Sequence, residues 1–230
     1  MRALLYDIHG NLPALEAVVE DAGSAGVESF VLGGDYALFG AWPAETVARL
    51  RELDATWIRG NTDRWLTDAP DAPDSPLVER SLAYCREALG APACRELAAI
   101  PATAELDGVL VCHASPRSDM RSFAAEASDG DAGLLEPDDA TVIVFGHTHV
   151  QFMREAQGHA LVNPGSVGMP FDRDRRAAYA LWGGGDDFEL RRVEYDLDSY
   201  VDQLRQRLAA ALRETVETLA RRLEQAAFAN

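Results

Sequence analysis

The sequence contains no lysine. All 21 basic residues among its 230 are arginines, set against 38 acidic ones, for a net charge of −17. That absence excludes a Schiff-base lysine and the phosphate-gripping lysine of a P-loop. The deficit of positive charge argues against an extended interface with a nucleic-acid backbone or an anionic membrane surface. Cysteine is scarce: Cys85, Cys94 and Cys112 have no metal-like spacing, and their odd number argues against a disulfide framework, so a reducing compartment is expected. No run of about 18 apolar residues occurs, so no membrane-spanning helix is expected. The first residues reach Asp7 and His9 too soon for a signal peptide, and a cytoplasmic location is the expectation.

What is present is an ordinary globular balance, 47% hydrophobic and 26% charged, which at this length points to one large domain over residues 1–230. Five short apolar runs have strand character: Ala3–Tyr6, Phe30–Leu32, Thr56–Ile58, Val109–Cys112 and Val142–Phe145. Continuous runs of this kind suit strands buried on both faces of a largely parallel sheet. Between the first two, Leu12, Leu15, Val18, Val19 and Ala22 recur at helical spacing, and Gly23 and Gly26 supply a stop. A second helix carrying Val47, Leu50 and Leu53 leads to the third strand, which makes a βαβαβ beginning with right-handed crossovers.

Residues 64–108 read as a helical insertion, entered through the proline-broken stretch Asp68–Pro76. Residues 116–139 read as a polar loop with a short helix; with Arg117, Met120, Arg121 and Phe123 it could act as a lid. Ala160–Val162, Ala178–Trp182 and Phe188–Leu190 read as strands, the last two joined as a hairpin by Gly183–Asp186. The catalytic core thus spans 1–196, followed by a C-terminal helix over 197–230. Its stripe of Leu204, Leu208, Leu212, Val216, Leu219 and Leu223 suits packing on its own domain, with a homodimer contact as the alternative.

The chemistry sits after the strands. The first is followed by Asp7, His9 and Gly10, the second by Gly33-Gly34-Asp35, the third by Gly60-Asn61-Thr62-Asp63, the fourth by His113 and the fifth by Gly146-His147-Thr148-His149. In an open α/β sheet these loops share one edge, where ligands bind. Asp7, His9, Asp35, Asn61, His113, His147 and His149 would therefore converge. Seven oxygen and nitrogen donors without thiolate suit divalent ions; manganese leads, with iron, nickel or zinc as alternatives. Seven are too many for one ion with an open position, but suit two ions sharing a carboxylate. Such a pair, about 3.5–4 Å apart, clamps a phosphoryl group and yields hydroxide at neutral pH.

The ordered set Asp-x-His, Gly-Asp, Gly-Asn-x-Asp, His and Gly-His-x-His over residues 7–149 resembles the calcineurin-like metallophosphoesterases, and Asn163–Ser166 looks like the downstream loop of their small bacterial and archaeal members. The resemblance implies Asp7, His9 and His149 on one metal and Asn61, His113 and His147 on the other, with Asp35 bridging. Asp35, Asn61 and His113 are the residues it implies nearest the reaction. It also implies two stacked mixed sheets flanked by helices, an αββα sandwich, in place of the single sheet drawn from the strands alone. Many members carry a histidine directly after the Gly-Asn to serve the leaving group. Here Thr62 stands there, and a hydroxyl cannot act as a general acid near neutral pH. Phosphodiesters and phosphoanhydrides of small nucleotide-like substrates, dinucleoside polyphosphates among them, are the expected substrates, cleaved by a hydroxide shared between the metals. A phosphomonoesterase or protein phosphatase, and a metal-binding scaffold without turnover, are the alternatives.

Other residues carry two readings each. Asn11 suits a turn or a phosphate contact; Arg64, Arg173 and Arg175, with Arg176, suit solvated loops or a bidentate grip on phosphate. Tyr36, Phe39, Trp42 and Trp65 suit local packing or stacking on a base. Asp63 is expected to orient a ligand or loop, and His159 to be a surface residue of a hairpin.

Overall fold

The computed structural model describes residues 1–135 and 140–228. Ends of two sequence expectations, the loop at 116–139 and the helix at 197–230, therefore lie outside the described residues. In chain order the elements are β1 (Arg2–Leu5), α1 (Leu12–Ser24), β2 (Ser29–Leu32), α2 (Pro43–Leu50), β3 (Ala55–Trp57), α3 (Asn61–Trp65) and α4 (Pro76–Ala98). Then come β4 (Thr103–Leu106), β5 (Val109–Cys112), β6 (Val142–Val144), β7 (Phe152–Ala156), β8 (His159–Asn163), β9 (Ala177–Gly184), β10 (Asp187–Val193), α5 (Leu197–Leu212) and α6 (Val216–Gln225).

The strands form two sheets. One has the order β10-β9-β1-β2-β3 and the other β4-β5-β6-β8-β7. In the first, β1–β2–β3 are parallel, with β3 at one edge and the antiparallel β9 and β10 beyond β1; in the second, parallel β5–β6–β8 form the centre with antiparallel β4 and β7 at the edges. The single sheet suggested by the apolar runs is thereby corrected to two. The runs carry no mark of the split, since strands β1 and β6 are buried on both faces in either arrangement. Along β1, Ala3 and Leu5 pack against the helices, while Leu4 and Tyr6 join Val111, Val144 and Trp182 between the sheets. Along β6, Val142 and Val144 face the inter-sheet core and Ile143 faces Phe123, Phe145 and Leu161 on the outside.

Helix starts follow local chemistry. The Asn11 carboxamide caps α1, and Ser75 caps α4, each followed by proline in the first turn, where the missing N–H costs no helical bond. Gly90, at φ 74°, kinks α4. The C-terminal segment is helical as expected but folds back on itself: Arg213, at φ 52° and ψ −133°, ends α5, and a 3-10 turn leads into α6. Arg205 on α5 pairs with Glu217 and Glu224 on α6, which only an antiparallel hairpin permits. The leucine stripe packs within the chain, against Ala41, Leu77 and Met169. Among the described residues, no helix is long and apolar enough to cross a membrane.

Candidate active site

The C-terminal ends of β1, β2 and β3 from one sheet, and of β5 and β6 from the other, deliver all seven donor residues to one place. The backbone is forced there. Asp7, His9, Asp35, His147 and His149 have φ between 49° and 69°, a region that disfavours residues bearing a Cβ. Gly34 makes the close passage possible: it sits at φ 94°, and a Cβ on it would lie 2.3 Å from the Gly60 nitrogen.

Three histidines are oriented by backbone carbonyls. Nδ1 of His9 lies 2.9 Å from the Leu38 oxygen, that of His113 2.8 Å from Gly33 and that of His149 2.6 Å from Met169. A carbonyl only accepts, so each Nδ1 carries the proton and each Nε2 offers a lone pair to the centre. His147 instead turns Nδ1 inward, 3.0 Å from Asn61 Oδ1 and 3.3 Å from His113 Nε2. Asn61 Oδ1 is also 3.0 Å from His113 Nε2.

With its amide turned, Asn61 donates its NH₂ to His147 Nδ1 and His113 Nε2, each at 3.0 Å; among the described residues the other side of the centre has no such donor. His9 Nε2 faces His149 Nε2 at 3.1 Å, two lone pairs opposed, and Asp7 Oδ1 is buried without a hydrogen-bond partner. Asp7 Oδ1 is 3.4 Å from His149 Nε2, 4.0 Å from His9 Nε2 and 3.9 Å from His113 Nε2. The Asp35 carboxylate reaches both sides, with one oxygen 3.7 Å from His9 Nε2 and the other 3.6 Å from His113 Nε2. Nitrogen and oxygen donors bound at about 2.1 Å to one ion stand roughly 3–3.5 Å apart. The residues therefore fit divalent cations: Asp7, His9 and His149 form one candidate group and Asp7, Asp35 and His113 another.

Electrostatics agree with a ligand role. Burial, with His149 beside it, pushes His9 down to about 4, and burial, with His113 beside it, pushes His147 down to about 4, so both imidazoles are neutral at neutral pH. Burial opposes ionisation of Asp7, but His149, His113 and His9 outweigh it and hold the carboxyl well below its usual range. For His113 burial is outweighed by Asp35 and Asp7, and its pKa is raised. Asp63 stands behind Asp35, as expected of an orienting residue. It accepts from the backbone N–H groups of Gly60 and Asp35 at 2.8 Å and of Tyr36 at 3.1 Å.

A cavity of about 920 Å³ opens directly from the centre. Of the aromatics singled out from sequence, Phe39 and Trp65 line it. Tyr36 is buried beneath, its hydroxyl set between the Leu32 and Ile58 carbonyls, and Trp42 stacks on Tyr200. Thr62 lines the cavity, with its hydroxyl unpartnered. From the loop at 116–139 Met120 lines it, while Phe123 is buried beneath the second sheet.

The four residues expected to touch substrate are elsewhere. Asn11 caps α1 and donates to the Gly168 carbonyl and Tyr195 hydroxyl, which uses its amide structurally. Arg64 is held by Asp71 and Asp119 and borders a separate depression behind His113. Arg173 and Arg175 line a surface hollow with Glu194 and Tyr195. Their sequence proximity to Asn163–Ser166 misled because the chain turns outward before them. His159 begins β8, at the strand end opposite the centre, with Nδ1 3.0 Å from the Ala140 carbonyl. Missed from sequence were Phe171, stacked on His149 at 4.4 Å and 13°, and the cavity walls at Leu77, Val78 and Thr218.

Comparison with known proteins gives three kinds of match. A family model described as the calcineurin-like phosphoesterase superfamily domain matches residues 1–183. A crystal structure of a metallophosphoesterase from Sphaerobacter thermophilus is 28% identical, covers 98% of both chains and superposes with a TM-score of 0.81. A hypothetical protein from Pyrococcus horikoshii OT3 shares the fold at 20% identity and a TM-score of 0.78, covering 95% of this chain and 98% of its own. An uncharacterized protein of Methanocaldococcus jannaschii is 27% identical over 225 residues, 89% of this chain and 91% of its own.

Proposed function

Because the chain belongs to the calcineurin-like phosphoesterase superfamily, we propose that it is a two-metal phosphohydrolase that cleaves phosphodiester or phosphoanhydride bonds of small, nucleotide-like substrates. The observation that carries this reading is the pair of donor groups sharing Asp7, with the Asp35 carboxylate reaching toward both. Divalent cations there, manganese first and iron, nickel or zinc as alternatives, would supply positive charge against the phosphoryl oxygens and ionised water at neutral pH.

The chain's own residues then set what can react. Leu38, Gly33 and Met169 carbonyls retain the Nδ1 protons of His9, His113 and His149, so these rings are fixed in the tautomer that faces inward. The Thr62 N–H donates to Asp35 Oδ1 at 3.0 Å and holds that carboxylate toward the centre. The Thr62 side chain offers no proton near neutral pH to a departing alkoxide. General acid help of that kind is often worth about 10²–10⁴ in rate. Leaving groups that are already weak bases, aryl oxides and phosphates, lose least by its absence, which favours aryl diesters and anhydrides over alkyl monoesters.

The test is hydrolysis of bis-p-nitrophenyl phosphate by chelator-stripped protein with Mn²⁺ added back, beside an aryl monoester of matched leaving-group pKa. Cation-restored turnover of the diester is expected. A much faster monoester reaction would overturn the diester preference, and tight cation binding without turnover of either would favour the scaffold reading.

A further inference from the structure

We propose that the cavity beside the donor cluster binds the organic group of the substrate by ring and apolar contact, and that the C-terminal hairpin is its selectivity wall. The substrate class this assigns is phosphodiesters and anhydrides bearing an aromatic or otherwise apolar group. The inference rests on the phosphohydrolase reading and narrows it.

The cavity is continuous with the centre. His9, Asp35, Asn61, Thr62, His147 and His149 form one wall. Leu77 and Val78 at the start of α4, Phe39, Trp65, Met120 and Val150 make the apolar surround. Thr215, Thr218 and Arg222, at and within α6, close the far side. At about 920 Å³ the cavity lies in the size range of sites that enclose whole organic ligands, about 300–1,000 Å³. A phosphate with small alkyl groups would leave most of it wet.

Its polar groups are largely occupied. Ser75 Oγ accepts from the Val78 N–H, the Thr215 hydroxyl donates to the Leu212 carbonyl, Thr218 Oγ1 accepts from Arg221, and the Trp65 indole N–H donates to Asp71. Several of these groups thus already have a partner within the chain, and ring faces are plentiful. A file of rings runs outward from the centre: Phe171 stacks on His149, Phe228 meets Phe171 edge-on at 5.6 Å, and Arg222 lies over Phe228 at 4.2 Å. Phe228 is 65% exposed, a large apolar side chain at the cavity mouth with solvent on its free side. The far wall belongs to α6, beyond residue 183 where the family match ends.

The experiment compares two diesters with one leaving group, methyl p-nitrophenyl phosphate and benzyl p-nitrophenyl phosphate, in native protein, Thr218→Trp and Phe228→Ala. The shared p-nitrophenolate keeps the chemical step alike, so the ratio of kcat/KM reports the other group. Burying a phenyl ring is expected to give the benzyl ester roughly a 10- to 50-fold advantage in the native enzyme. Thr218→Trp should fill the cavity and reduce the ratio at least fivefold, and Phe228→Ala should lower it partway. A native ratio near one, or a ratio unchanged in both variants, would overturn the proposal, as would a nucleoside 5′-p-nitrophenyl phosphate preferred tenfold over the benzyl ester.

Calorimetric binding of benzylphosphonate and methylphosphonate to the Mn²⁺-loaded protein separates this inference from the catalytic one. Benzylphosphonate binding at least tenfold tighter, with the difference lost in Thr218→Trp, supports the cavity assignment even if no diester is turned over. Equal binding refutes it even if diesters are hydrolysed.

Discussion

Asp63→Asn should damage the protein from beneath the site, without removing any donor. The carboxylate is 1% exposed and organises two loops at once. One oxygen accepts from Gly60 and Asp35 and the other from Tyr36. An asparagine retains one acceptor oxygen. In its better orientation it keeps the Gly60 and Asp35 bonds and presents an NH₂ to the Tyr36 N–H. The lost bond and the stranded buried donor cost about 1–3 kcal/mol. The two retained bonds pass from a charged to a neutral acceptor and lose about half their strength, roughly another 1 kcal/mol. One effect runs the other way: burial and the charge of Asp35 push the Asp63 carboxyl up to about 7, so the cation-free protein already strains to ionise it. Set against that relief, the two losses leave a net expectation of roughly 1–3 kcal/mol, or about 2–10 °C in melting temperature for a chain of this size. Thermal melting of chelator-stripped and Mn²⁺-loaded protein measures it. Because the displaced atoms are the backbone of Asp35 and Tyr36, cation affinity and kcat should fall while KM changes little. Melting within about 2 °C of the native protein would refute the reasoning.

Three further outcomes follow from the same geometry. Thr62→His should restore a proton donor at the cavity wall and raise turnover of alkyl-leaving esters relative to aryl ones by about tenfold or more; an unchanged ratio would show that the position does not face the leaving group. Gly34→Ala should cost at least roughly 3 kcal/mol or abolish soluble expression, since the backbone cannot yield around a Cβ 2.3 Å from the Gly60 nitrogen; native-like melting would contradict it. His147→Gln should alter the pH dependence of cation-free stability. The His147 pKa, 6.5 in a free side chain and about 4 in the fold, means that the unfolded chain takes up its proton first as pH falls. The native protein thus loses stability from this group between about 6.5 and 4, and the variant should gain on it over that window by up to roughly 3 kcal/mol; parallel melting curves would refute the shift.

The donor set was legible because its signals are local. A strand buried on both faces is a continuous apolar run, and each candidate ligand follows such a run within a few residues. The division into two sheets was not legible in the same way. The second sheet is centred on β5, β6 and β8, apolar runs like those of β1 and β2, and nothing in such a run says which sheet it joins; only the family resemblance implied it. The fold-back at Arg213 carries neither glycine nor proline, so the leucine stripe runs through it without a break in pattern. Its cause is tertiary, since Arg205 can pair with Glu217 and Glu224 only after the turn. The placement of Arg64 away from the cavity has a related reason. Arg64 has acidic neighbours, Asp71 and Asp119, that become partners only once the loops are assembled.

The backbone at the centre bears on whether the donors are kept for use. A left-handed conformation costs a residue bearing a Cβ roughly 1–2 kcal/mol, and five of the seven donor residues adopt it. Together they forfeit roughly 5–10 kcal/mol, comparable with the whole margin of a stable domain. Glycine at these positions would relieve the strain, and glycine would also remove the lone pairs now opposed at His9 and His149 and the unpartnered oxygen of Asp7. A protein using this fold only as a platform would gain stability by such replacements at no loss. Aspartate and histidine at positions where the backbone resists a Cβ accord with a centre whose favourable state includes positive charge. Asp7, at 0% exposure with Oδ1 unpartnered and 3.4–4.0 Å from three imidazoles, is where this shows most clearly.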